Sequence, residues 1–137
     1  MKGVYPVFLT KTDDCILVEV PDFDILTEGK SLAEAVAMAR DAIGLKAISM
    51  EDAGMEIPKA AQLSMLDVKT GTFYGEGETI ETLVDVDFAA YRRRVDNKTV
   101  RRNVTLPNWL NIEAEEAHLN VSKVLQEALM QKLGTSR

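Results

Sequence analysis

Cys15 and His118 carry the most reactive side chains, and each is the only residue of its kind in the 137-residue chain. Catalysis by a cysteine needs a base beside the thiol, and a structural zinc needs several Cys or His ligands at close spacing. Nothing in the sequence ties these two residues together, and a single cysteine excludes an internal disulfide. We therefore expect Cys15 to be a core residue and His118 to be a surface residue near a helix end.

Carboxylates offer the other candidate chemistry. Asp85 and Asp87 are two positions apart in an alternating segment, which places both on one face of a strand. Together with Asp67 they could hold Mg²⁺, which prefers oxygen ligands. The sequence provides no convincing third and fourth ligand, and a solvated polar face explains the same pattern. We expect no metal, no cofactor and no catalytic activity, with an enzyme as an open alternative.

A row of polar side chains near residue 100 suits binding better than catalysis. Residues 99–106 alternate, and the polar positions are Thr99, Arg101, Asn103 and Thr105. The other parity holds Val100, Val104 and Leu106, with Arg102 as the exception. A strand with this pattern has one apolar face to bury and one face made of hydrogen-bond donors and acceptors.

The charge distribution separates an acidic body from a basic segment. Residues 1–91 contain 7 basic and 17 acidic residues, a net charge of −10, although the whole chain carries only −6. Residues 92–102 contain six basic residues and one acidic residue. Such a run is typical of nucleic-acid contact, but taken alone it favours a solvated linker kept extended by repulsion.

Length and composition indicate a globular protein. Hydrophobic residues make up 46% of the chain and charged residues 28%, and 137 residues suit one small domain with a short appendage. No apolar stretch approaches the roughly 20 residues of a membrane helix, and the first residues lack a signal-type apolar segment. We therefore expect a cytoplasmic protein without a membrane segment.

The first 90 residues predict an α+β fold that begins with three antiparallel strands. Strands are expected where β-branched and aromatic residues lie between turn-forming residues, over 4–9, 15–20, 63–68 and 80–88, with a short one over 25–27 that ends in a turn at Gly29. Ser31 precedes Glu34 by three positions, the spacing of a capping box. Apolar residues then recur at helical intervals, which predicts a helix over 32–50.

The sequence over residues 99–137, the tail, predicts one strand followed by two helices. Pro107 suits the first turn of a helix, and Asn120 or Ser122 can cap a second helix that ends at Gly134. Alone, this unit has a strand without a partner and too little core, so we expect two chains to pair through it. The core of this dimer is expected to contain Val104, Leu106, Trp109, Leu125 and Leu129.

This order of a polar-faced strand, Leu106-Pro107, a Trp-bearing helix and a capped helix resembles the ribbon-helix-helix family of DNA-binding proteins over residues 100–134. The resemblance implies that two chains pair their strands into a ribbon in the DNA major groove. The resemblance also implies that the outward side chains Arg101, Asn103 and Thr105 contact base edges. The chemistry agrees, because arginine can pair with guanine and asparagine with adenine. Phosphate contacts are expected from the basic segment and the start of the second helix, at Arg94, Lys98, Ser122 and Lys123.

The whole chain resembles the HicB-type antitoxins that have a ribbon-helix-helix tail. The matching features are the N-terminal hairpin, the strand break at Pro21-Asp22-Phe23, the run Thr-Glu-Gly-Lys-Ser-Leu-Ala-Glu-Ala at 27–35, and the strand 84–87 with Tyr91-Arg92. The resemblance implies a partial RNase H-like domain over residues 1–91 that inhibits a HicA-type toxin, a small basic ribonuclease that cleaves mRNA. It also implies a basic linker over 92–98 and a ribbon-helix-helix domain over 99–137 that represses the toxin–antitoxin promoter.

In this interpretation the acidic body attracts a basic toxin and repels its RNA substrate. The toxin-facing residues cannot be chosen from the sequence, and the acidic candidates are Asp13, Asp14, Asp22, Glu28, Glu56, Glu76 and Glu78. The expected partners are thus the toxin, operator double-stranded DNA and a second copy of the chain, with an assembly larger than a dimer left open. The alternative is a stand-alone transcriptional regulator whose N-terminal domain senses a small molecule.

Overall fold

The computed structural model describes residues 2–61, 66–96 and 98–135. Within these residues the chain is α+β, as expected, with one four-stranded sheet and four α-helices. It divides into two compact units, Met1–Asp96 and Asn97–Arg137. Every helix in the described part is too short or too polar to cross a lipid bilayer.

The first unit is built on an antiparallel sheet. Its strands are β1 Lys2–Lys11, β2 Ile16–Val20, β3 Ile25–Gly29 and β4 Glu78–Asp87, in the order β3-β2-β1-β4. Strand β1 forms the predicted hairpin with β2 and pairs on its other side with β4, from Lys2 opposite Asp87 to Lys11 opposite Glu78. The three antiparallel strands expected at the start are confirmed.

A short turn connects β2 to β3 at the predicted strand break. Pro21–Phe23 form a 3-10 turn, and the Asp24 amide donates to the Pro21 carbonyl at 3.3 Å. Asp24 has a φ of 53°, in the left-handed region that aspartate tolerates better than most residues. Phe23 is buried against Tyr5, with ring centroids 4.8 Å apart, and this contact fixes the turn on the core.

Helix α1, Leu32–Asp52, covers one face of the sheet. It begins as predicted, because the Ser31 side chain accepts a hydrogen bond from the Glu34 amide at 3.1 Å. Its buried residues are Ala35, Ala39, Ile43, Gly44 and Ala47. The alanines and Ile43 share one side of the helix and pack on sheet residues of the same core, such as Val7 and Val18, whereas Gly44 faces the Tyr91 ring.

Gly29 ends β3 at the point where the backbone of α1 comes close. A Cβ atom at this position would lie 2.5 Å from the Ala35 nitrogen and 2.7 Å from its Cα. We expect Gly29→Ala to lower the free energy of unfolding by about 1–3 kcal/mol, because a backbone segment must move. Urea unfolding measures this change. The control Glu28→Ala, at an exposed neighbour, should stay within about 0.5 kcal/mol of the wild type. Equal stability of the two variants would contradict the close contact.

The predicted strand over 63–68 lies partly outside the described residues. Where described it is wrong, since Leu66 and Asp67 are irregular and Val68–Thr70 form a 3-10 turn. The chain then reaches the sheet face opposite α1, where Thr72 donates to the Glu19 carboxylate from its amide at 2.9 Å and its hydroxyl at 2.7 Å. These bonds hold this segment over the second face of the sheet.

Helix α2, Phe88–Val95, follows β4 without a loop. The Asp87 carboxylate caps it by accepting from the Ala90 amide at 3.1 Å, and Phe88 and Tyr91 are buried. The segment over 92–98 was predicted to be a linker, but its first four residues belong to this helix. The two buried aromatic residues, three positions apart, anchor the helix on the first unit, so that unit ends at Asp96.

The second unit contains helices α3, Asn108–Glu116, and α4, Val121–Leu133. Pro107 lies just before α3 rather than in its first turn. The Asn120 side chain caps α4 by accepting from the Lys123 amide at 3.1 Å, and Gly134 ends it with a φ of 67°. Residues 98–107 have no regular structure, so the predicted strand is not formed within one chain. A strand requires a partner for its hydrogen bonds, and the single chain offers it none in residues 98–135.

Candidate protein-binding and nucleic-acid-binding surfaces

The predicted base-reading residues lie in the irregular segment 98–107. Arg101, Asn103 and Thr105 are all exposed, and so are Val104 and Leu106 on the other parity. The backbone polar groups and the side chains of this segment are thus accessible together. Such a segment can pair with another strand and still present a polar face.

The predicted phosphate-binding residues of α4 lie in its first turn. Ser122 and Lys123 are exposed there, next to the amides at the start of a 13-residue helix. Asn120, rather than Ser122, provides the cap. The Ser122 hydroxyl therefore does not serve as the cap of this helix. The first turn of the helix has the positive polarity that favours an anion.

The predicted dimer-core residues form an uncovered apolar surface. Trp109 is 62% exposed and Leu129 is 53% exposed, and Val104, Leu106 and Leu125 are also exposed. Within residues 98–135, the described part of this unit, neither helix buries a single residue. Large exposed apolar surfaces of this kind mark interaction sites in soluble proteins.

Two arginines of the basic run are engaged with the first unit. The Arg92 guanidinium lies 3.2 Å from Asp52, 3.3 Å from Asp96 and 4.0 Å from Glu51. The Arg94 guanidinium lies over the Tyr91 ring, 5.3 Å from its centroid. The run is thus partly a structural anchor for α2, which sequence reasoning missed. The capping position of Asp87 and the spacing of Phe88 and Tyr91 were the available signals.

Tyr91 links α2 to α1 through a hydrogen bond of 2.5 Å from its hydroxyl to Asp41. Burial and this bond raise the pKa of Tyr91 from 10.0 to about 12. A raised pKa favours the neutral phenol in the folded state, so its stabilisation is complete below pH 10 and is lost as the pH rises through about 12. We expect Tyr91→Phe to cost about 1 kcal/mol at pH 8 and to flatten the fall in stability between pH 10 and 12. Unfolding curves across this range measure both effects, and an unchanged slope would contradict the assignment.

The candidate metal-binding carboxylates have structural contacts instead of a shared site. Asp85 forms an ion pair with Arg40 at 3.1 Å, Asp87 caps α2, and Asp67 accepts from the Lys69 amide at 2.9 Å. Among the described residues no group of three Asp, Glu, His or Cys side chains is arranged to hold a metal ion. The backbone bond at the helix start lowers the pKa of Asp87, as expected of a capping carboxylate.

Cys15 lies in the first unit and His118 in the second. Cys15 precedes β2, is half-buried rather than in the core, and its Sγ donates to Glu28 at 3.4 Å. Its predicted core position is wrong because the strand begins one residue later. His118 follows α3 as expected and has a φ of 54°.

A groove of about 500 Å³ lies at one end of the first unit, beside the start of α1. Its apolar floor is formed by Leu9, Ile16, Leu32 and Ile80. Three of the seven acidic candidates, Asp13, Asp14 and Glu78, line it, and a fourth, Glu28, lines an adjoining hollow. Two of the other candidates lie elsewhere: the Asp22 carboxylate accepts a hydrogen bond from the Ala61 amide, and Glu56 lines a different surface.

The chain matches the family model described as the HicB-like antitoxin of bacterial toxin–antitoxin systems over residues 5–129. It therefore belongs to the HicB-like antitoxin family, and the family expected from the sequence is confirmed. A comparison with curated proteins finds no match.

Two solved structures with TM-scores above 0.5 share the fold. A toxin–antitoxin complex from Streptococcus pneumoniae is 22% identical with a TM-score of 0.62, and the match covers 96% of this chain and 99% of that chain. The antitoxin HicB of Burkholderia pseudomallei is 22% identical with a TM-score of 0.52, covering 96% and 97%. A HicA3 and HicB3 toxin–antitoxin complex is 21% identical with a TM-score of 0.49, covering 61% and 98%.

Proposed function

We propose that the chain neutralises a HicA-type mRNA-cleaving toxin by binding it through the first unit. Membership of the antitoxin family supports this function, and the S. pneumoniae relative is described as a toxin–antitoxin complex. The charge of residues 1–91, net −10, suits a basic partner. The mechanism is steric: the first unit covers the active surface of the toxin, and no catalytic step, metal or cofactor is involved. The unit serves as a partial RNase H-like domain that binds and does not cleave.

We further propose that the second unit forms a homodimeric ribbon-helix-helix that binds operator DNA and represses its own operon. One observation carries this proposal: the apolar residues of this unit are exposed in the single chain, Trp109 and Leu129 by more than half. Pairing residues 99–106 of two chains provides the missing strand partner and brings these apolar surfaces together. The polar parity, with Arg101 and Asn103, then faces the DNA bases. The mRNA that such a toxin cleaves and the operator DNA are both cytoplasmic, which supports a cytoplasmic location for this function.

Co-expression with the product of a HicA-type toxin gene tests the toxin-binding function. We expect the tagged full-length chain to restore growth and to co-purify with that product in near-equal amount. Light scattering should show two antitoxin chains in the complex. Recovery of a DNA-binding homodimer with no bound toxin would contradict the antitoxin function and favour the stand-alone regulator.

A further inference from the structure

We propose that the groove beside the start of α1 is the docking site for the toxin, and that it receives an apolar side chain flanked by lysine or arginine residues. This inference rests on the proposed antitoxin function and assigns the surface that performs it. The groove exists because α1 begins at Leu32. The last residue pairs of the helix-side sheet face are Leu9 with Ile80 and Lys11 with Ile16, and Ile80 is left half exposed there.

The floor of the groove supplies the apolar contact. Leu9 and Ile16 pack with the core, whereas Leu32 is 55% exposed and Ile80 is 48% exposed. A large side chain placed between the last two would remove apolar area from water on both sides. Central apolar anchors of this kind carry most of the energy of protein interfaces.

The rim of the groove supplies the charge. Asp13, Asp14 and Glu78 line it, and the adjoining hollow adds two further carboxylates, Glu28 and Glu34. Two lysines, Lys11 and Lys30, also line this surface, so acidic residues outnumber basic residues five to two. This balance attracts a basic protein. It disfavours RNA or DNA, and it disfavours a second copy of the first unit, which carries the same negative charge.

Two matched pairs of lysine substitutions in the full-length chain test this assignment. Ile80→Lys lies in the groove, and Leu83→Lys lies on the same strand but the opposite sheet face, where Leu83 is 51% exposed. Leu32→Lys lies in the groove, and Leu45→Lys lies further along α1, where Leu45 is 52% exposed. Calorimetric titration with the purified toxin gives the Kd of each variant. We expect the groove variants to bind roughly 10-fold or more weakly, and the controls to remain within about 2-fold of the wild type.

A charge variant provides an independent readout. The double change Asp13→Asn with Asp14→Asn should reduce the salt dependence of toxin binding, because screened rim charges contribute to it. The control Asp24→Asn with Glu56→Gln removes the same charge from residues outside the groove. Melting curves confirm that each variant folds.

The outcomes separate the two proposals. Wild-type affinity of the folded groove variants, with toxin bound by the wild type, would overturn the docking site and leave the antitoxin function intact. Failure of the wild type to bind the toxin would overturn the antitoxin function itself, and the docking site with it. Loss of toxin binding in the groove variants, with binding retained by the control variants, supports both the docking site and the antitoxin function.

Discussion

Replacing Leu129 with arginine should convert the dimer into monomers and abolish operator binding. Leu129 lies in α4 and is half exposed in the single chain, where an arginine is tolerated. In the proposed dimer the same position is buried, and each chain would bring an unpaired charge into the interface. An uncompensated buried charge costs about 3–5 kcal/mol, so we expect the dimer Kd to rise roughly 100-fold or more.

Light scattering of the full-length chain, with a gel-shift titration of the operator, measures both losses. Gln126→Arg is the matched control, because it adds the same charge to α4 at a polar position that is also exposed. This control should remain dimeric. A dimeric Leu129→Arg variant, or a monomeric Gln126→Arg variant, would contradict the proposed interface. The first unit is a compact unit of its own, so toxin binding should survive in both variants.

Removing the Arg101 side chain should weaken operator binding by roughly 1–3 kcal/mol per half-site, with the loss concentrated at one base pair. The reason is that an arginine on the polar parity of the ribbon can donate two hydrogen bonds to guanine. Binding of Arg101→Ala to operators with each base changed in turn measures the effect. A variant that has lost base reading should no longer distinguish the wild-type base from its substitutes at that position.

Arg94→Ala is the contrasting variant. Arg94 stacks on Tyr91 within the first unit, and we propose that it contacts DNA only at phosphate. Its removal should therefore lower affinity about equally for all sequences and reduce the salt dependence of binding. Equal, sequence-independent losses from Arg101→Ala and Arg94→Ala would contradict base reading by Arg101.

Local signals in the sequence predicted most elements of the first unit. The hairpin follows from β-branched runs around a turn, and the start of α1 follows from Ser31 and Glu34, whose capping bond is present. Both signals come from residues that are close together in the sequence. The pairing of β1 with β4 could not be predicted in the same way, because it joins residues about 75 positions apart and arises from tertiary packing.

Helix α2 was missed because its charge pattern dominated the interpretation. Three successive arginines are typical of a solvated linker, but buried Phe88 and Tyr91 outweigh them, and Arg92 finds three carboxylates on its own unit. The groove was missed for a related reason. Its acidic residues are ordinary surface residues in sequence, and only the fold places Asp13 and Asp14 beside Leu32 and Ile80.

The structure of the tail can be defined only in part from a single chain. Both helices were predicted, and the ends of α4 are confirmed at Gly134 and at Asn120, one of the two predicted caps, whereas Pro107 lies before α3 and not in its first turn. Its predicted strand is not formed in the single chain, since the hydrogen bonds of a strand belong to a pair. The identity of the base-contacting residues therefore stays a prediction until a dimer is observed on DNA.

Inhibition of the toxin ribonuclease tests the central claim most directly. Purified toxin is incubated with a labelled mRNA, and the full-length chain is added in increasing amounts. We predict that cleavage falls to background at about one antitoxin chain per toxin, as expected for tight steric masking. Undiminished cleavage at a large excess of the folded chain would contradict the account.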